Sequence, residues 1–377
     1  MKFKENDIPN LYDCAIIGGG LAGLCLAIQL AKNGHKIILF EKNQYPFHKV
    51  CGEYISMESW DFLQRLGVPL TDWHLPKINH LGVSSTQGFM LNADLKLGGF
   101  GISRFTLDNY LVKIARENGV EILDNCKVQN IDNQQHNQII YTNKGTFLTR
   151  LTAGSYGKIT PAFMDKNHTP KKNYIGVKYH IKTDFPNDKI ELHNFKDGYC
   201  GISKVDNDTH CLCYLTTAEN LKNHDKDIKK MEQSVLMQNP FLKRIFNEST
   251  FLFDKPEVIS NVTFNAKTTY SNDTILLGDA AGAIAPLCGN GMSLAMRASY
   301  LLTPLIEDFL KEKTSKMQLT EQYDTLWQQH FANRIKAGYY IQHLFGNNTM
   351  THFSLKLLNS SPFLLQKLIA MTHGQVF

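Results

Sequence analysis

Three glycines, spaced Gly18-x-Gly20-x-x-Gly23, lie between an apolar run at residues 12–17 (YDCAII) and a stretch of helical apolar spacing at residues 21–33 (LAGLCLAIQLAKN). In a strand–turn–helix each glycine has its own task. Gly18 permits the tight turn, Gly20 lets backbone approach a pyrophosphate, and Gly23 lets helix and strand pack closely. The N-terminus of the helix then turns its free N–H groups toward the anion. A second apolar run, residues 36–40, closes with Glu41, about 20 residues past Gly20, where an acid hydrogen-bonds ribose hydroxyls. Triplet, flanking elements and terminal acid together describe a βαβ dinucleotide site.

Further along, residues 274–279 (TILLGD) read as a strand ending in Gly278-Asp279 and are followed by AAGAIAPLCGNGMSLAMRAS, a loop running into a helix. Between the two glycine turns lie HKVCGEYIS, residues 48–56, and SRFTLDNYLVKIARENGVEI, residues 103–122. The first carries the pair Cys51-Gly52. The second opens a helix with Arg104 and Asp108, which on residue type alone also suit a helix-capping ion pair.

The elements that must position these residues belong to a globular chain. Its 377 residues allow two or three domains, with 43% hydrophobic and 20% charged side chains. A net charge of +5 without a block of like charges does not suggest a nucleic-acid partner. The cysteines Cys14, Cys25, Cys51, Cys126, Cys200, Cys211, Cys213 and Cys288 form no C-x-x-C pair. They read as reduced thiols of a cytoplasmic protein, with no metal site. Residues 14–31 carry no charge, but their central glycines fit a nucleotide turn better than a signal peptide or membrane span.

The motif at residues 274–299 resembles the second FAD fingerprint of the p-hydroxybenzoate hydroxylase and geranylgeranyl reductase superfamily of FAD-dependent oxidoreductases. The resemblance implies an α/β fold: a Rossmann-like FAD-binding domain, an inserted antiparallel-sheet substrate domain and C-terminal helices. It implies that the turn of Gly18, Gly20 and Gly23 binds the pyrophosphate, that Glu41 binds the adenosine ribose, and that the Asp279 carboxylate after Gly278 binds the ribitol. The loop Pro286-Leu287-Cys288-Gly289-Asn290-Gly291 would run past the flavin ring. The amides near Gly291 and Met292 would stabilise electron density on the reduced ring from a helix N-terminus. Cys51 and Gly52 would approach the flavin and substrate cavity, and Arg104 would lie near the cofactor. Covalent attachment of the flavin is not expected.

One family element is altered. Where relatives carry Asp-Gly before residue 160, this chain reads Ala153-Gly154-Ser155-Tyr156-Gly157-Lys158, and no second G-x-G-x-x-G follows. Reductant is therefore expected either from NAD(P)H binding transiently at the flavin or from a partner reductase.

Residues 174–182, 190–203 and 209–217 alternate polar and apolar side chains and predict an antiparallel sheet over the substrate cavity. Tyr179 and His180 must point to opposite faces, and His180 reads as a satisfied or solvated histidine. A polar helical connection from residues 218–230 leads to a strand at residues 258–265 that is expected to re-enter the cofactor domain. Residues 319–345 predict one helix, and residues 353–371 two pieces broken at Pro362. Their stripe of Leu355, Leu358, Phe363, Leu365, Leu368 and Ile369 is assigned first to core packing, ahead of contact with a membrane surface. The expected division is a discontinuous FAD-binding domain (1–75 with 100–165 and 255–310), a substrate domain (76–99 with 166–254) and a C-terminal helical region (311–377).

The leading function is a monooxygenase that hydroxylates an apolar aromatic or polyketide-like small molecule through a flavin hydroperoxide. The alternative is a geranylgeranyl reductase-like enzyme that saturates alkene bonds, which Cys51-Gly52 favours. A non-catalytic electron-transfer flavoprotein comes third. A halogenase is disfavoured because Trp60, Trp73 and Trp327 cannot form a W-x-W-x-I-P element. Cys51 is the candidate catalytic residue, provided His48 and Lys49 face its thiol. A small side chain leaving room for substrate is the simpler role.

Overall fold

The apolar run around Cys14 becomes the strand Leu11–Ile17, buried because parallel neighbours cover both of its edges: Cys14 pairs with Ile37 on one side and Leu151 on the other. In the computed structural model, which describes residues 10–164, 173–262, 267–284, 287, 289–343 and 346–377, this strand is central to an eight-stranded sheet. Strands Thr274–Leu276, Gly145–Gly154, Leu11–Ile17, Ile37–Phe40 and Glu121–Leu123 run parallel in that spatial order. Helices Leu21–Lys32, Arg104–Glu117 and Gly291–Leu310 pack together beside it, and the largest apolar core lies there.

The second sheet has nine strands. Tyr174–Lys182 pairs antiparallel with His210–Thr217, and Gly198–Lys204 follows in order. The segment 190–203, expected as one strand, is a hairpin of Lys189–Phe195 and Gly198–Lys204. The chain reverses at Lys196-Asp197, where Asp197 has φ +61 and precedes a glycine, a pairing suited to a tight hairpin turn. Glu257–Val262 pairs with Tyr174–Lys182, so the strand expected to re-enter the cofactor sheet belongs to the second sheet instead. Residues 263–265 of that expectation lie outside the described residues, as do residues 166–172 of the expected substrate domain.

Helices Ile228–Ser234 and Pro240–Glu248 cover one face of this sheet over a second apolar core. The expected helix at 319–345 is Lys316–Trp327, a π-helical turn at Gln328–Ala332, and Asn333–His343; residues 344–345 lie outside the described residues. Two further helices, Asn348–Asn359 and Pro362–Thr372, break at Pro362, which takes the first helical position where its missing N–H costs nothing. Phe363 departs from the expected buried stripe: it is 75% exposed, whereas Leu355 and Leu365 are buried. Among the described residues no helix is long and apolar enough to cross a membrane.

Candidate functional site

The glycine turn is built as its spacing requires. Gly18 has φ +108, and a Cβ there would lie 2.5 Å from the Ser155 carbonyl oxygen; a Cβ on Gly23 would lie 2.2 Å from the Gly18 carbonyl oxygen. Above Gly20 the space is open, and the nearest atoms to a Cβ are Arg104 Nη2 at 3.8 Å and Lys49 Nζ at 3.9 Å. No side chain caps the helix that begins at Leu21, so its first N–H groups are available to an anion. The Ser155 Oγ donates to the Gly18 carbonyl at 2.6 Å, which places the altered Ala153–Lys158 segment directly against the turn.

Glu41 is buried and also supports this turn. Its Oε2 accepts the Gly19 N–H at 2.9 Å, and its Oε1 accepts the Asn43 N–H and Nδ2 at 3.0 Å. Oε1 has both lone pairs engaged, and Oε2 keeps a further one for a ribose hydroxyl.

Arg104 forms a bidentate pair with Asp108 at 2.8 Å through Nε and Nη2, and Lys49 Nζ reaches the same carboxylate at 3.0 Å. Burial works to raise the Asp108 carboxyl, but the Arg104 and Lys49 charges overcome it and hold the group below its ordinary range. Both readings of Arg104 therefore meet at one place. It pairs with its helix neighbour, and with Lys49 it sets two positive charges against the one Asp108 carboxylate beside the open space over Gly20.

Cys51 is half-buried on the cavity wall, with its Sγ 3.5 Å from Met292 Sδ. Met292 lies in the first turn of the helix Gly291–Leu310. Asn290 precedes that helix without capping it, and its Nδ2 donates instead to the Thr372 carbonyl at 2.7 Å. Gly278 and Gly289 both have left-handed φ, +61 and +67, and a Cβ on Gly278 would lie 3.1 Å from Ala22 Cβ. Gly52 and Gly291 face open space or distant side chains. Asp279 is half-buried on the cavity wall, with Lys267 Nζ bound to its carbonyl at 2.9 Å. Pro286 and Cys288 of the predicted loop lie outside the described residues.

One continuous cavity of about 940 Å³ joins these positions, running from Gly20 and Glu41 past Cys51 and Met292. It extends into an apolar lobe bounded by Leu81, Leu91 and Leu95 of the second sheet and by Leu355, Leu365 and Leu368 of the C-terminal helices. Open backbone at Gly20, an uncapped helix start, two flanking cations and two cavity-lining acids, Glu41 and Asp279, fit an extended dinucleotide.

His48 and Lys49 are engaged elsewhere than at the Cys51 thiol. His48 stacks on Phe105 with ring centres 4.7 Å apart and lies 4.9 Å from the Phe253 ring, while Lys49 serves Asp108 and the Gly19 carbonyl. Burial, with the nearby Lys178 and His180, lowers the His48 pKa.

Sequence reasoning missed a second buried charge cluster of the site. Glu53, fully buried on the cavity wall, accepts Lys178 Nζ at 2.5 Å and the Arg104 N–H at 2.8 Å on Oε1, and His180 Nε2 at 2.6 Å on Oε2. Burial works to raise this carboxyl, and the His180 hydrogen bond and Lys178 charge overcome it, holding it below its ordinary range. His180 is thus satisfied and buried, and Tyr179 points the other way to Glu232. The available signal was a lysine and a histidine two apart on one face of an otherwise apolar strand, YIGVKYHIK.

Comparison with known proteins gives two family matches. A profile for the NAD(P)-binding Rossmann-like domain covers residues 16–50, and one for squalene epoxidase covers residues 147–337, just over half of the chain. The conditioned medium factor receptor 1 of Dictyostelium discoideum is 24% identical over 89% of this chain and 72% of its own. The digeranylgeranylglycerophospholipid reductase of Methanococcus vannielii is 23% identical over 84% of this chain and 82% of its own. Among solved structures, a flavin-dependent brominase superposes with a TM-score of 0.78 at 18% identity, covering 96% of this chain and 93% of that one.

Proposed function

The chain belongs to the squalene epoxidase family, and from that premise we propose that it is an FAD-dependent monooxygenase acting on an apolar small molecule. One observation carries the reading: the dinucleotide cleft and the apolar lobe are a single cavity, and they meet at Cys51 and Met292. FAD, when bound, supplies the redox and oxygen-activating chemistry.

The residues of the chain do the rest. Gly18, Gly20 and Gly23 with Arg104 and Lys49 hold the pyrophosphate, Glu41 holds the adenosine ribose, and Asp279 holds the ribitol. The first-turn amides at Gly291 and Met292 offer positive charge to the ring. Leucines of the lobe orient an apolar substrate and keep water from the reacting centre. Electrons come from NAD(P)H at the flavin or from a partner reductase, in keeping with the single G-x-G-x-x-G of the chain. A cytoplasmic location belongs to the same reading, on seven described cysteines that are all unpaired.

The second reading is an alkene reductase, favoured by the Cys51 thiol at the junction of cleft and lobe. Photoreduced, FAD-loaded protein incubated with a long-chain alkene and an alkyl phenol, with and without oxygen, separates the two. A product heavier by one oxygen atom supports the monooxygenase, and one heavier by two hydrogens without oxygen overturns it. Asp279→Ala is expected to weaken FAD retention by about 1.5–3 kcal/mol, the range for a hydrogen bond to a charged group. Unchanged FAD occupancy, read from the absorbance ratio, removes Asp279 from the site.

A further inference from the structure

Glu53 follows Cys51-Gly52 directly and is wedged between two elements. Lys178 and His180 reach it from the strand Tyr174–Lys182, and the Arg104 N–H reaches it from the first turn of the helix Arg104–Glu117. The adjoining backbone is pinned as well. The Ile102 N–H donates to the Glu53 carbonyl at 3.1 Å, and the Cys211 thiol to the Cys51 carbonyl at 3.2 Å.

The backbone of Glu53 is left-handed, with φ +57, a conformation glycine adopts freely and glutamate rarely does. Glycine would make this turn without strain, so what the glutamate adds is its side chain. Glu53, His180 and Cys211 place donor atoms within 4.8 Å of one another, a set able to ligate a cation. Lys178, however, already sets a buried ammonium on Glu53 Oε1, so the positive charge is part of the protein. The group acts as a joint between the second sheet and the helix Arg104–Glu117, next but one along the chain from the residue whose Sγ touches Met292.

We propose that Glu53 is a positioning residue of the site: through Lys178, His180 and the Arg104 N–H it fixes the Cys51-Gly52 segment against Met292 and so sets how closely that segment approaches the bound flavin. The inference rests on the flavin reading for what fills the cleft, whereas the position of Cys51 is measurable without a cofactor.

The test follows the alkylation of Cys51 by iodoacetamide, read by peptide mass in FAD-loaded and FAD-stripped protein, alongside urea unfolding and the visible flavin spectrum. Glu53→Gln is expected to raise the Cys51 rate at least tenfold in both forms, to lower the urea midpoint and to displace the flavin bands. The charge-neutral double variant Glu53→Gln with Lys178→Met is expected to regain most of the midpoint while Cys51 stays fast and the bands stay displaced. It also carries the test if the single variant does not fold. Wild-type Cys51 rates and spectrum in the folded double variant overturn the proposal, because the group then only balances charge. A fast Cys51 in stripped variants of a protein that retains no FAD supports the joint and sinks the flavin reading alone.

Discussion

Two buried glutamates meet opposite faces of the strand Tyr174–Lys182, and they are held in opposite ways. On the cavity face Glu53 meets Lys178 and His180; on the far face Glu232 accepts both of its hydrogen bonds on Oε1, from Tyr179 at 2.9 Å and Tyr214 at 2.8 Å. Alternation along one strand makes this arrangement, since Lys178 and His180 face one way and Tyr179 the other. Burial acts on both carboxyls in the same direction. The His180 hydrogen bond and the Lys178 charge keep Glu53 below its ordinary range, whereas neutral phenols offset burial only in part and leave Glu232 raised to about 7. The charge of the partner, rather than depth alone, decides the ionisation of a buried acid.

The largest expected effect comes from removing the cation on the cavity face. Lys178→Met leaves Glu53 buried with His180 and the Arg104 N–H as its remaining partners, and breaking one side of a buried pair costs about 3–5 kcal/mol. Urea unfolding at neutral pH measures it. A midpoint near the wild-type value would mean that Glu53 does not depend on Lys178 for its charge, and the contrast between the faces would collapse.

A smaller effect, of opposite sign in pH, belongs to the far face. Glu232 binds its proton more tightly folded than unfolded, so stability is greatest below its ordinary pKa of 4.5 and falls as pH rises toward about 7. The full fall is of order 3 kcal/mol, and it levels off above that range. Glu53 contributes the reverse: stability present above the ordinary carboxyl range and lost as pH falls through its lowered value. The difference between wild type and Glu232→Gln, measured by urea unfolding from pH 4.5 to 8, isolates the first slope. A flat difference would show that Glu232 stays ionised and that its phenols serve it as well as a lysine would.

This contrast marks how far the sequence could be read. The dinucleotide turn was legible because its physics is local: Gly18 and Gly23 are forced by contacts within one strand–turn–helix and the Ser155 loop beside it. The junction at Cys51 and Met292 came from family motifs, and the structure brings the two residues together. Glu53 was not legible, because its side-chain partners Lys178 and His180 lie on a strand far along the chain and nothing local states which face of that strand will meet it. The strand Glu257–Val262 went to the wrong sheet for the same reason: its apolar pattern fits either, and the pairing with Tyr174–Lys182 is decided by tertiary contacts. The hairpin within residues 190–203 is different in kind, since Lys196-Asp197-Gly198 is itself a local turn signal.

The smallest effect sharpens the comparison most, because it changes a partner without touching either acid. Tyr214→Phe removes one of the two phenol donors to Glu232 Oε1 and leaves the ring, so packing against the neighbouring Phe195 is kept. A neutral hydrogen bond lost here costs about 1 kcal/mol. Because the phenols favour the carboxylate over the acid, their loss moves the Glu232 pKa further up, and the falling limb of the stability curve shifts to higher pH with it. Carboxyl carbon shifts followed by NMR against pH read that displacement directly at Glu232. An unmoved titration in the Tyr214→Phe protein would show that this phenol does not offset burial at all. An upward move ranks the two faces on a common scale: the far-face acid is tuned by weak donors one at a time, and the cavity-face acid is held by a charge that cannot be removed in steps.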